Sequence, residues 1–393
     1  MTGSGLWRFA LVPLLMAGCS MPSVPSVPVG DYIDRWFGSG PALKPAALVA
    51  IKPTATARVV WQGNAGAAEK YAFTPAIAAN SVYAAGAAGQ IVRFDAGSGK
   101  VLARIETKHR LSGGVGGDGR LILAGTARGE VLAFDESGKQ LWKSQLTGEV
   151  LSAPQTDFGI VVARSGDGRI FGLDAVTGTR KWVYQRTLPA LTVRTHVGVV
   201  LYRDAAFAGF AGGRLVALML NSGNVGWEAA VALPKGTTEL ERVADISSLP
   251  VLDGRQICAV AFQGRVACFD LTKGTPNWAR DISSIDGMAI DDRNVYVSDD
   301  KGAVVAFEKI TGASQWKQDK LFGRRISGPA AVGGHVVVGD FQGYVHVLSR
   351  DDGSFAARIA TDGSAILAQP IALKDGVLVQ TRNGGVYAIT IQQ

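Results

Sequence analysis

Few side chains in this sequence could do chemistry, and their spacing does not favour a catalytic or metal site. No histidine has a second histidine or a cysteine at the spacing of a metal-ligand pair. The four histidines are His109, His196, His335 and His346. The chain also has no G-x-S-x-G motif, which would mark one type of serine nucleophile. The sequence therefore predicts no catalytic residue, no metal and no cofactor.

One stretch imitates a dinucleotide-binding motif. Residues 114–119 match G-x-G-x-x-G, but this motif holds a pyrophosphate only where it follows a strand and opens a helix. Here it leads into residues 120–125, RLILAG, which predict a strand. We therefore expect the glycines to belong to a sheet and not to a nucleotide site.

Two of the three cysteines flank a short turn. Cys258 and Cys268 lie on either side of Gln263-Gly264. A two-residue turn would place residue 258 opposite residue 269, so the two sulfurs would point to opposite faces of the sheet. The sequence therefore predicts two buried free thiols and no disulfide.

The elements that position these residues form a repeat, seen most clearly in residues 161–183. An apolar strand leads to a tight turn at Asp167-Gly168, for which we expect a two-residue type I′ turn. A second strand ends at Asp174, and a third strand is marked by Trp182. The turn glycine recurs eight times, at intervals of 38 to 51 residues, as Gly89, Gly129, Gly168, Gly213, Gly264, Gly302, Gly343 and Gly384.

Further positions support the repeat. The tryptophan recurs as Trp142, Trp227, Trp278 and Trp316, with Ala103 and Ala357 in its place in the first and seventh units. The aspartate recurs as Asp95, Asp135 and Asp270, with Glu308, Met219, Ser349 and Thr390 in the other units. An apolar segment, often with proline, precedes each hairpin and supplies a fourth strand. The sequence predicts an all-β fold, an eight-bladed β-propeller of four-stranded antiparallel blades.

The eighth unit stops at Gln393 before any outer strand. At the other end of the propeller region, Ala57 to Gln62 carries Trp61 in the sequence context of an outer strand. We expect this N-terminal strand to pair with residues 386–391 and to close the ring, which leaves no open sheet edge there. The propeller domain is thus predicted over residues 57–393.

Residues 1–18 predict a lipoprotein signal peptide, with Arg8 before an apolar stretch too short to span a bilayer. The small residues before Cys19 resemble a bacterial lipobox, which implies cleavage before Cys19 and its acylation. Ser20 in place of Asp implies sorting to the outer membrane. Residues 19–56 are predicted to be the lipidated cysteine and a Pro/Ser-rich tether and linker. A plain secretory signal is the alternative.

Two long connections break the repeat, residues 185–197 and residues 229–249. Both leave an outermost strand and enter the next innermost strand, so they are expected to be neighbours on one face of the disc. Long loops on a rigid scaffold usually carry binding function, although neutral insertions are the alternative. The net charge of +7 includes no run of five basic residues, which gives little support to nucleic-acid binding.

The repeat G-x-[VIL]-x-[AG]-[FL]-D-x-x-[TS]-G-x-x-x-W resembles that of the quinoprotein (PQQ-type) propellers over about residues 57–393. The catalytic members of that family use adjacent cysteines, a calcium site and a stacked tryptophan around the quinone, and this chain has no adjacent cysteines. The lipobox, the tether, the eight repeats and residues 236–251, GTTELERVADISSLPV, resemble more narrowly the BamB family of the outer-membrane β-barrel assembly machine.

The narrower resemblance implies a partner-binding site. In that family one loop with a Leu-x-Leu-Arg motif and another with two Asp separated by one residue contact BamA. The matching residues here are Leu191, Val193, Arg194 and Asp245, with Ser247 at the second acidic position. Leu191 and Val193 are expected to bury apolar area on the partner. Arg194 is expected to bind a carboxylate.

The role of Asp245 is left open by the residues alone. It is expected to pin Arg194 or Arg242, or to receive a cation of the partner. The resemblance implies a non-enzymatic scaffold, lipid-anchored at the periplasmic face of the outer membrane and monomeric on its own. It would bind the POTRA domains of BamA and other subunits of the machine, and assist insertion of β-barrel proteins. A cell-wall or polysaccharide-binding propeller and a PQQ-dependent dehydrogenase are the alternatives.

Overall fold

The computed structural model describes residues 44–392, which form 32 strands in eight four-stranded antiparallel sheets and no helix. The two middle strands of a blade are buried on both faces, as β3 (Ser81–Ala85) shows, because each blade packs between two others. The prediction of an eight-bladed β-propeller is confirmed. The predicted signal peptide, Cys19 and the tether before residue 44 lie outside the described residues.

The strands follow the order of the blades. Blades one to four contain β2 (Ala76–Ala78), β3 (Ser81–Ala85), β4 (Gln90–Asp95), β5 (Val101–Glu106); β6 (Leu111–Gly117), β7 (Ile122–Thr126), β8 (Glu130–Phe134), β9 (Gln140–Gln145); β10 (Gln155–Asp157), β11 (Ile160–Arg164), β12 (Ile170–Asp174), β13 (Arg180–Tyr184); and β14 (Val200–Tyr202), β15 (Ala205–Phe210), β16 (Arg214–Met219), β17 (Val225–Ala230). Blades five to eight contain β18 (Val251–Leu252), β19 (Gln256–Val260), β20 (Arg265–Asp270), β21 (Pro276–Asp281); β22 (Gly287–Ile290), β23 (Asn294–Ser298), β24 (Val304–Glu308), β25 (Ser314–Gln318); β26 (Ala330–Val332), β27 (His335–Gly339), β28 (Tyr344–Ser349), β29 (Phe355–Ala360); and β30 (Ile371–Leu373), β31 (Gly376–Gln380), β32 (Gly385–Gln392), β1 (Thr56–Asn64).

Strand β1 closes the ring, as predicted. It pairs with β32 from Thr56 opposite Gln392 to Asn64 opposite Gly385. Compared with the predicted strand, β1 is one residue longer at its N-terminal end and two residues longer at its C-terminal end. It also has a bulge between Val59 and Trp61. The glycine-rich stretch that imitates a nucleotide motif contributes to β6, an innermost strand, so its expected place in a sheet is also confirmed.

The repeated tryptophans join six of the eight blades to the next blade. Each indole N–H donates to a backbone carbonyl at the outer turn of the following blade, at 2.7 to 3.0 Å. The acceptors for Trp61, Trp142, Trp182, Trp227, Trp278 and Trp316 are the carbonyls of Ala96, Ala175, Leu220, Leu271, Lys309 and Arg350. The glycine of that turn lies against the indole, and a Cβ on Gly178 would collide with Trp142. The repeat therefore combines Gly and Trp because the two meet across a blade junction.

The prediction of a two-residue type I′ turn at Asp167-Gly168 is wrong. Ser165 N–H donates to Arg169 O at 3.0 Å, so the loop holds three residues. Gly168 N–H donates to Ser165 O at 3.0 Å, and Gly168 has φ of 81°. This is a type I turn followed by a bulged glycine, in which only the glycine needs a positive φ.

The same error in turn length made the prediction of free thiols wrong. Ala261 N–H donates to Arg265 O at 3.1 Å across a three-residue loop. Cys258 therefore lies opposite Cys268, and the two form a disulfide. A slip of one residue turns every side chain of a strand to the other face, which is why the predicted geometry separated the sulfurs. Both cysteines are fully buried in an apolar cluster with Trp278.

We expect the native protein to have a mass two hydrogens below that of the reduced chain. After denaturation without reductant, Cys258 and Cys268 should not react with a thiol reagent. Replacing both by alanine should lower the free energy of unfolding by about 2–4 kcal/mol, because the cross-link restricts the unfolded chain. The measurements are intact mass and urea denaturation. Two thiols that react on denaturation alone would contradict the disulfide.

Candidate partner-binding face

The two long connections meet on one face of the disc. They are residues 185–199 (the first loop), between β13 and β14, and residues 231–250 (the second loop), between β17 and β18. Val193 N–H in the first loop donates to Asp245 Oδ2 in the second at 2.7 Å. The loops are thus neighbours, as expected from their junctions, and a charge-assisted hydrogen bond fixes one to the other.

Asp245 lies inside this arrangement and not on its surface. It is 3% exposed, and its Oδ1 accepts the N–H of Gly212 at 3.0 Å. Burial raises the pKa of Asp245, while the N–H bonds from Val193 and Gly212 and the charge of Arg164 act in the opposite direction. The expectation that Asp245 pins Arg194 or Arg242, or meets a partner cation, is therefore corrected. Irregular buried backbone needs acceptors, and this carboxylate supplies them.

Ser247 is also buried, and its hydroxyl donates to the carbonyl of Ile285 at 3.2 Å. It ties the second loop to the next blade junction. Residues 243–248, VADISS, are all buried, and Ile246 lies over Gly209, where a Cβ would collide with it. The apolar residues Val243, Ala244 and Ile246 were the sequence signal for this burial. The second acidic position of the motif therefore faces the scaffold.

Arg194 remains available at the surface, although it has a partner. Its Nη2 and Nε donate to the two oxygens of Glu149 at 2.6 and 2.9 Å. The Arg194 side chain is 53% exposed, so this pair contributes only about 0–1 kcal/mol. Glu149 lies 45 residues away, in the connection between β9 and β10, and sequence spacing could not reveal it.

The apolar side chains on this face are exposed. Leu191 is 43% exposed, and Val193 is partly buried. The second loop adds exposed side chains that the sequence reasoning missed: Leu233, Leu240 and Leu249. We call the exposed Leu191 and Arg194, together with these three leucines, the loop face. Exposed apolar side chains and an exposed arginine are groups that protein contacts use.

A pocket of about 140 Å³ lies between the loops, lined by Arg164, Leu188, Val193, Arg194 and Asp245 among others. Arg164 donates from Nη1 to Gly209 O at 2.7 Å. Burial lowers the pKa of Arg164 to about 10, so it stays charged at neutral pH. Within residues 44–392 no three His, Cys, Asp or Glu side chains are grouped as metal ligands. No helix in that range could span a membrane.

Replacing Asp245 by alanine should release the first loop. Two partly buried N–H groups lose their acceptor, and leaving a buried group unsatisfied costs about 1–3 kcal/mol. Hydrogen exchange at the Val193 amide should therefore be roughly tenfold faster or more. Ser247→Ala, which removes one hydroxyl from the same loop, is the control and should leave this amide almost unchanged. Equal protection of Val193 in both variants would disprove the role given to Asp245.

Known proteins resemble this chain over most of its length. A family model described as outer membrane protein assembly factor BamB matches residues 87–318. A protein of that name from Nitrosomonas eutropha is 50% identical, over 99% of this chain and 96% of its own. Another, from Bordetella pertussis, is 41% identical, over 98% and 97%. The crystal structure of BamB from Moraxella catarrhalis superposes with a TM-score of 0.79 at 25% identity, covering 85% of this chain and 100% of that one.

Proposed function

The chain belongs to the BamB family, and from this membership we propose that it binds the periplasmic POTRA domains of BamA through the loop face. The family is one of outer membrane protein assembly factors, not of enzymes, so the alternative of a quinone-dependent dehydrogenase is wrong. A role in outer membrane protein assembly follows from the membership itself. The partner and the contact residues are the parts that we propose.

One observation carries this proposal: Asp245 holds the first loop to the second. The backbone of Val193 is fixed by that carboxylate, and the residues on either side of it remain at the surface. A loop that is already ordered loses less conformational entropy on binding. The buried Asp245 and Ser247 thus act as positioning residues, and Leu191 and Arg194 make the contact.

The two contact residues contribute differently. Leu191 would bury its side chain in an apolar pocket of the partner, which contributes roughly 1–3 kcal/mol. Arg194 would exchange the carboxylate of Glu149 for one of the partner. Because the pair with Glu149 is half exposed and weak, this exchange costs little. Both oxygens of Glu149 then become free to accept hydrogen bonds from the partner as well.

We also propose that acylated Cys19 anchors the chain on the periplasmic face of the outer membrane. The lipobox and the Pro/Ser-rich segment after it support this anchor. Two or more acyl chains on one residue would meet the two-signal requirement for stable membrane attachment. The mass of the mature N-terminal peptide tests the anchor, and an unmodified cysteine there would contradict it.

The double variant Leu191→Ala, Arg194→Glu should lose most of its BamA binding. Truncating one partner of a desolvated charge pair costs about 2–5 kcal/mol, and the loss of Leu191 adds to that. Together these correspond to a decrease in affinity of roughly a hundredfold or more. The propeller should stay folded, since neither residue belongs to a strand. The measurement is co-purification of BamA, with circular dichroism and thermal melts as tests of folding.

A matched control changes the opposite face of the disc in the same way. Val176 is 83% exposed in the outer turn of the third blade, and Arg180 begins β13 with an exposed side chain. The variant Val176→Ala, Arg180→Glu should bind BamA like the unaltered chain. Undiminished binding by the folded loop-face variant would place the interface elsewhere.

A further inference from the structure

Residues 44–55 lie along the seventh blade before the chain enters β1. Ala46 N–H donates to Phe322 O at 2.9 Å, in the connection between β25 and β26. At the other end, the N–H groups of Thr54 and Ala55 both donate to Ala356 O on β29, at 3.0 and 3.2 Å. Both ends of this segment are therefore fixed to the propeller through backbone hydrogen bonds.

Two arginines of the seventh blade region hold the segment between these ends. Arg324 donates from Nη1 to Ala46 O at 3.1 Å, and Arg358 donates from Nη1 to Val49 O at 3.0 Å. Both acceptors are backbone carbonyls, so this attachment does not depend on the side chains of the segment.

A buried network keeps the two arginines in place. Asp340 is fully buried and accepts from Arg324 Nε at 2.8 Å. His346 Nδ1 accepts from Arg358 Nε at 3.2 Å, so the ring proton lies on Nε2, which donates to Asp340 Oδ2 at 2.8 Å. Burial and the nearby arginine charges lower the pKa of His346, while Asp340 acts in the opposite direction. The neutral ring therefore links Arg358 to the same carboxylate that binds Arg324 directly.

The seventh blade lacks the repeated tryptophan. Ala357 stands at that position, and Ala55 belongs to the same apolar cluster as Ala356 and Ala357. In six other blades an outer-strand indole covers the junction with the next blade. Here the N-terminal segment lies beside the outer strand.

The position of this attachment matters because of the geometry of β1. Thr56 pairs with Gln392, so the start of β1 and the end of β32 meet at the same end of one antiparallel pair. Pulling the chain ends apart would break the ladder bonds one after another from that end. The attachment at Ala46, Val49 and Thr54 lies ahead of the first of these bonds along the chain.

We propose that residues 44–55 are a clamp that holds the chain to the seventh blade and isolates the ring-closing strand from tension on the residues before 44. The load passes first to the carbonyls of Phe322 and Ala356 and to the side chains of Arg324 and Arg358. The proposal does not depend on the partner of the loop face or on the lipid anchor. Any tension that reaches the N-terminal part of the chain would be borne in this way.

The test compares two proline substitutions, which remove the relevant donors, with one that does not. Ala46→Pro and Thr54→Pro remove the N–H groups bonded to Phe322 and Ala356. Ala50→Pro is the matched control, since Ala50 is exposed and its N–H has no bond to the propeller in the described residues. All three substitutions lie outside the strands, so the propeller should fold in each variant.

Hydrogen exchange and single-molecule pulling give the two readouts. In the variant Ala46→Pro, Thr54→Pro, the Ala55 amide should exchange roughly tenfold faster or more, as expected for lost hydrogen bonds. With handles at the two chain ends, the force of the first rupture should fall in this variant and stay unchanged in Ala50→Pro. An unchanged first rupture force in the double variant, or unchanged exchange at Ala55, would overturn the proposal.

Discussion

Replacing Trp61 by alanine is expected to lower the free energy of unfolding by about 3–5 kcal/mol, the range for a buried large aromatic side chain. Trp61 is 6% exposed, stacks on Phe94 with 5.8 Å between ring centroids, and donates its indole N–H to Ala96 O at 2.9 Å. All of these contacts cross from the ring-closing strand to the first blade. The substitution therefore leaves a cavity and removes a blade junction together.

Val60→Ala is the matched control, because Val60 neighbours Trp61 on β1 and is 52% exposed. Urea denaturation of the three proteins measures the difference. Val60→Ala should stay within about 0.5 kcal/mol of the unaltered chain. If the two variants had the same stability, β1 would not be closing the ring through Trp61.

Asp340→Asn is expected to cost about 3–5 kcal/mol, because it leaves the buried charge of Arg324 without a counter-ion. The salt bridge between Arg324 Nη2 and Asp340 Oδ2 measures 2.6 Å, and both side chains are almost fully buried. Arg324 and His346 both donate to Oδ2, while the N–H groups of the turn donate to Oδ1, so the single oxygen of an asparagine amide cannot serve both sets in one orientation. The measurement is again the free energy of unfolding from urea denaturation.

The sixth blade offers a matched control for this prediction. Asp299 occupies the equivalent turn, and its Oδ1 accepts the N–H groups of Lys301 and Ala303 as Asp340 Oδ1 accepts those of Gln342 and Tyr344. Asparagine keeps this acceptor in both turns. Asp299→Asn should therefore cost much less than Asp340→Asn, and similar losses would show that only the turn matters.

The repeat could be predicted because each blade repeats the same local signals. Trp61 precedes the first unit, whereas the eighth unit lacks its outer strand. These two facts were enough to predict β1 and its pairing with β32. Turn length was not predictable in the same way. A turn that ends in glycine, such as Asp167-Gly168 or Gln263-Gly264, suits two-residue and three-residue loops alike. That one-residue difference decided whether Cys258 and Cys268 could bond.

The candidate site was predicted in position but not in detail. The length and order of the two loops predicted that they lie side by side, because this prediction requires only the connectivity of the blades. The apolar residues around Asp245 and Ser247 indicate a buried segment, but the hydrogen-bond partners of these two side chains depend on the folded backbone, and no local pattern encodes them. The pair of Arg194 with Glu149 joins separate blades and follows only from the folded structure.

The indole bonds between blades divide the ring into two arcs. Five consecutive bonds, from Trp142 to Trp316, link blades two to seven, and Trp61 links blade eight to blade one. Ala103 and Ala357 mark the two seams between the arcs, which no indole of residues 44–392 crosses. The loop face sits at the middle of the longer arc, three blades from one seam and two from the other. A change at either seam would therefore lie at least two blades away from the surface that the loops present.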